Sequence, residues 1–153
     1  MYNNILVPLD GSERAECVLP HLESIAVGRG VKGVIFLRIL DTYLPAPVRA
    51  YLTAETIREA YERAETGVRA YFDEVAGRIH LDGVEVRKHV MAGQAADSIT
   101  EYAVENDVDL IIIATHGRSG VSRWVWGSVA DRVLRSACVP VLMVRAPGCV
   151  PGI

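Results

Sequence analysis

The residues whose spacing implies chemistry are Thr115-His116-Gly117 and, nine residues further on, Gly127-Ser128. From Ser128 onward Val129, Val133 and Leu134 fall at helical spacing, which sets Gly127-Ser128 at a helix N-terminus. The first N–H groups of a helix have no intrahelical partner and lie at the positive end of its dipole. Upstream, Val108-Asp109-Leu110-Ile111-Ile112-Ile113 is a largely β-branched apolar run, as expected of a buried strand in a parallel sheet. A buried strand, a glycine-bearing loop and an exposed helix start together make an anion site, and phosphate is the usual anion. Arg118 and Arg123 stand in the loop and offer charge-assisted contacts to such a group. The chain has no Gly-x-x-x-x-Gly-Lys-Ser/Thr loop, so this would be a different phosphate cradle.

The elements that must position this loop follow from periodicity. Asn4 to Leu9 reads as a first strand, and Asp10-Gly11-Ser12 turns the chain into a helix from about Glu13, capped by Ser12 or Asp10. Cys17, Val18, His21, Leu22 and Ile25 share one face of it, and Pro20 should bend it by removing the bond to Glu16. His21 has no second ligand beside it and reads as a packed or surface histidine. Val31 to Leu40 is a second strand, and Asp41 to Leu52 is a long loop, of the kind used for binding or tolerated as insertion.

Thr53 to Arg78 is helical, with an apolar stripe of Ile57, Tyr61, Ala64, Val68, Tyr71 and Val75. Arg58–Glu62, Glu59–Arg63, Glu65–Arg69 and Glu74–Arg78 are ion pairs one turn apart on its other faces. Val84 to Val90 alternates and suits an outer strand. Gln94 to Glu105 is a helix that Asn106 ends in the left-handed conformation. Val139-Pro140-Val141-Leu142-Met143-Val144 is a fifth strand, followed by a loose Pro/Gly-rich tail, Ala146 to Ile153. Five strands alternating with four helices indicate a doubly wound α/β sheet, while periodicity leaves the strand order open.

Composition narrows the function. A chain of 153 residues fits one domain, and half its residues are hydrophobic. A net charge of −3 offers no basic field for nucleic acid. No apolar run reaches the ~20 residues that span a bilayer, and MYNNILVPLD lacks the pattern of a signal peptide. Cys17, Cys138 and Cys149 are widely spaced, so neither disulfides nor zinc are expected and the cytoplasm is the simplest compartment.

The pattern Thr-His-Gly, nine residues, Gly-Ser resembles the universal stress protein family, whose nucleotide-binding members carry Gly-x-x-Gly, nine residues, then Gly-Ser or Gly-Thr. Gly117 and Gly127 take the second and third glycine positions, and Ala114 stands at the first, where its Cβ comes close to the ligand. The resemblance covers residues 1 to about 145 and implies a five-stranded parallel sheet of order 3-2-1-4-5, with helices on both faces. In that order strands 1 and 4 are neighbours whose connections leave in opposite directions, and ligands bind beyond such a switch point.

The resemblance further implies ATP or another adenine nucleotide, with or without Mg. Pro8, Leu9 and Asp10 would border the adenosine and Ile39 would pack on the adenine face. His116-Gly117 and Gly127-Ser128-Val129 would donate to the phosphates, helped by Arg118. It also implies a homodimer paired through the apolar fifth strand, Val141, Leu142, Met143 and Val144. The function expected is that of a nucleotide-binding protein with a stress-response or regulatory role. The alternative is a dimeric interaction module of the same family that binds no nucleotide. A third reading, an ATP-consuming transferase or ligase, lacks a substrate domain. Asp10, His116 and Ser128 invite a triad reading, but a serine at a helix start is usually a cap or a phosphate donor. No catalytic or metal-binding residue is assigned, and weak ATP hydrolysis would be a by-product of binding.

Overall fold

Long apolar runs make strands buried on both faces, and alternation decides which side chain goes where. The computed structural model describes residues 2–27, 30–41, 51–115 and 128–146. Within them run β1 (Asn4–Pro8), a 3-10 helix (Ala15–Val18), α1 (Leu19–Ala26), β2 (Gly33–Leu40) and α2 (Ala54–Arg78). There follow β3 (Glu85–Ala92), α3 (Ala95–Glu105), β4 (Leu110–Thr115), α4 (Ser128–Ser136) and β5 (Val141–Arg145). The five strands are all parallel, in the order β3-β2-β1-β4-β5.

Odd and even positions of the central strands feed two cores. Ile5, Val7, Val34, Phe36, Leu110 and Ile112 meet Leu22, Phe72 and Val75 on the face covered by α1 and α2. Leu6, Ile35, Leu37, Ile111 and Ile113 meet Ile99, Tyr102, Ala130 and Val133 on the face covered by α3 and α4. Phe36 and Phe72 lock the first core, their tilted rings 5.7 Å apart.

Several local expectations are corrected. Pro20 does not bend a helix interior. A 3-10 helix precedes it, and Pro20 falls in the first turn of α1, where a missing N–H costs little. The left-handed residue after α3 is Asp107, with φ of 50°, while Asn106 holds φ of −118°. Asn106 instead caps the helix by donating from Nδ2 to the Tyr102 carbonyl at 2.9 Å. On α2 the buried residues are Phe72 and Val75, and Ala64 of the expected stripe is exposed. Of its expected ion pairs three form, but Glu59–Arg63 is absent from the described ones. β4 starts at Leu110, so Val108 and Asp109 precede the strand rather than open it.

Asp109 has another task. Its carboxylate accepts from the backbone N–H of Asn3 at 2.8 Å and of Asn4 at 3.1 Å, and from Asn3 Nδ2 at 3.2 Å. These bonds clamp the start of β1 to the start of β4 and so fix the register of the two strands that flank the switch point. Burial by itself would raise the Asp109 pKa, but the bonds from Asn3 and Asn4 hold it below its ordinary value. A lowered folded pKa means stability that is complete above about pH 4 and lost as pH falls through the lowered value. Asp109→Ala should therefore cost about 1–2 kcal/mol at neutral pH. In urea titrations the gap to the unmodified protein should close as pH drops below the ordinary aspartate value; a gap independent of pH would mean the carboxylate charge is idle.

Candidate functional site

The site begins where β1 ends. Leu9 continues the strand line by donating to the Leu37 carbonyl at 2.9 Å, and Asp10 then leaves the sheet. Gly11 has φ of +79°, a left-handed turn that a side chain would strain. Asp10 Oδ1 accepts from Ser12 N–H at 3.0 Å and from Ser12 Oγ at 2.6 Å. Ser12 Oγ in turn accepts from the N–H of Ala15, the first residue of the 3-10 helix, at 3.2 Å. Neither expected cap is the N-cap of the 3-10 helix, which is Arg14; the bonds between Asp10 and Ser12 instead hold the Asp10 carboxylate at the end of β1.

Beyond the C-terminal ends of β1, β2 and β4 lies an open cavity of about 180 Å³. Pro8, Leu9, Asp10, Ile39, Ala114, Ser128 and Val129 line it. These are all the sequence-derived site residues that fall within the described part of the chain. Their environments differ: Leu9 is buried, Pro8, Ile39 and Ala114 are half-buried, and Asp10, Ser128 and Val129 are exposed. His116, Gly117, Arg118, Arg123 and Gly127 lie outside the described residues. Leu37, Ile99, Ile113 and Ala130 give the cavity an apolar floor, while Ser128 and Val129 open α4, whose first N–H groups have no partner within the helix. Ala95, at the start of α3, brings a second helix N-terminus to the wall, where Gln94 makes no side-chain cap. The cleft is thus apolar below, with the positive ends of two helices and the Asp10 carboxylate on its walls.

Among the described residues that line the cleft there is no cysteine or histidine. Burial pushes the Cys17 thiol up, away from the thiolate form that cysteine catalysis needs. Among the described residues no group of His, Cys, Asp and Glu side chains could hold a metal ion.

The model of the Universal stress protein family matches residues 1–145. This chain belongs to the universal stress protein family. A universal stress protein of Methanocaldococcus jannaschii, MJ0531, is 31% identical over 96% of this chain and 84% of the relative. Among solved structures, MJ0577 of the same organism superposes with a TM-score of 0.78 at 26% identity, covering 95% of this chain and 96% of that one. A universal stress protein of Archaeoglobus fulgidus, solved in complex with dAMP, superposes with a TM-score of 0.58 at 27% identity, covering 93% and 97% of the two chains.

For this universal stress protein, the sequence pattern missed half of the cleft. Leu37, Ile99 and Ile113 fall in apolar strand and helix positions with no mark of a site, because burial in a floor and burial in a core share one signature. Arg38 had a visible signal: it is the single charged residue in the strand GVIFLRIL.

Proposed function

We propose that this universal stress protein binds an adenine nucleotide, ATP in the first instance, in the cleft at the β1/β4 switch point, and acts in a stress-response or regulatory capacity. The observation that carries the reading is the cleft itself: an apolar floor, the Asp10 carboxylate at one wall and the N-terminus of α4 at the other. Adenosine suits the apolar part and hydroxyl-binding Asp10; phosphates suit the helix start. The dAMP held by the Archaeoglobus fulgidus relative supports the ligand class. In this reading the phosphates also meet His116, Gly117, Arg118 and Gly127, and Mg accompanies ATP as its ordinary counterion. No dedicated catalytic role belongs to the proposal.

The reading includes a homodimer paired through β5, supported by the position of that apolar strand at the sheet edge. It also includes a cytoplasmic location, supported by free Cys17 and Cys138. Among the described residues no helix is long and apolar enough to cross a membrane. Isothermal titration with ATP is expected to give a saturable curve. A flat one would favour the alternative, a family member that acts as an interaction module.

A further inference from the structure

Arg38 stands two residues before the end of the otherwise apolar β2 and lines the cleft beside Pro8, Asp10 and Ala15. Its Nε is buried and, among the described residues, has no acceptor. The described ion pairs of the molecule all lie elsewhere. Two other buried polar atoms share this condition, Tyr71 Oη and Arg87 Nε, but neither residue lines the cleft. Buried N–H groups are nearly always partnered, so an exception needs a physical reason. A guanidinium carries donors only, so no rearrangement within the side chain supplies the missing acceptor. At a cleft wall the missing acceptor can arrive with a ligand.

Position in the sheet says which part of a ligand that would be. β1 separates β2 from β4, so Arg38 borders the cleft from the β2 side and Ser128 from beyond β4. A nucleotide with its phosphates at the α4 N-terminus extends its base toward β2, where Ile39 supplies an apolar contact. Purine ring nitrogens are acceptors, and a guanidinium is a donor only. We infer that Arg38 is the base-recognition residue of this cleft, donating from its guanidinium to a ring nitrogen of a bound purine. The inference rests on the reading of the cleft as a nucleotide site. In the partly desolvated wall such a contact is stronger than it would be in water.

The test is calorimetry with ATP and with adenosine on the intact protein and on Arg38→Met and Arg38→Lys. Arg38→Met is expected to weaken both ligands by the same factor, about tenfold or more. Adenosine analogues with N1, N3 or N7 replaced by C–H then locate the acceptor. One of them should lose about tenfold on the unmodified protein and nothing further on Arg38→Met, the coupling expected of a direct contact. A merely structural arginine would show no such coupling. Arg38→Lys keeps the charge but not the fork, so it should show the same loss of coupling even if Arg38→Met fails to fold. Unchanged binding in both variants, a loss confined to ATP, or the absence of any coupled analogue would overturn the assignment while leaving nucleotide binding in place. An unmodified protein that binds neither ATP nor adenosine would overturn the nucleotide reading itself, and this one with it.

Discussion

Ala114→Phe is expected to weaken ATP binding by about 100-fold or more, equivalent to about 2.8 kcal/mol, while the protein stays folded. Ala114 lines the cleft near the C-terminal end of β4, directly paired with Val144 of β5. Behind it lies the close-packed core of the α1/α2 face, which has no room for a ring. The ring must therefore occupy a cavity of about 180 Å³, and a ligand seated there has to give way. Ala114→Gly removes the methyl group from the same wall and is expected to tighten ATP binding, at a cost to β4 of about 0.5–1 kcal/mol. Titrations of both variants, with thermal melts as the control for folding, make the comparison. If the folded Phe variant binds ATP like the unmodified protein, the nucleotide does not use this cleft. If the Gly variant gains nothing, alanine at the first glycine position is harmless.

How far the sequence reaches can be seen in single residues. Ile5, Leu6 and Val7 are all apolar, so the run announces a strand buried on both faces, and the structure divides it between two cores. The same parity holds for any order of strands, which is why periodicity left the order open and the family resemblance had to supply it. Boundaries slipped where a residue does a local job that hydropathy does not see. Val108 closes the end of α3 by donating to the Ala103 carbonyl at 3.1 Å, and Asp109 clamps β1, so the strand begins later. Phe72 was absent from the expected stripe on α2 because the buried part of that helix is its C-terminal half, under Phe36, while the stripe was drawn along its whole length. Of the residues that line the cleft, Ser128 belongs to the Gly-Ser motif, while Pro8, Asp10 and Ile39 came only from the family resemblance. Arg38 belongs to no motif; its lone charge in an apolar strand was a signal without a meaning until the structure placed it beside the cleft.

Met143→Pro is expected to turn a dimer into a monomer without unfolding the protein or altering ATP affinity. β5 is bounded by β4 on one side, and among the described residues no strand covers the other. Ile111 N–H donates to the Pro140 carbonyl at 3.0 Å and Ala146 N–H to the Thr115 carbonyl at 3.3 Å. Even-numbered residues of β5 therefore turn their backbone groups to β4, and Val141, Met143 and Arg145 turn theirs outward. Such an edge invites a second strand. Side-chain changes test this poorly, because Leu142 and Val144 pack into one core and Val141 and Met143 into the other. Proline at position 143 removes an outward N–H and leaves the ladder to β4 whole, the placement that edge strands tolerate. Leu142 is already extended, as the residue before a proline must be. A two-fold axis makes the loss count twice, about 2 kcal/mol before any clash of the rings. No β5 residue lines the cleft, so ATP titrations should be unchanged. Light scattering at micromolar concentration decides the matter: an unmodified protein that already runs as a monomer, or a proline variant that still pairs, would remove β5 as the contact.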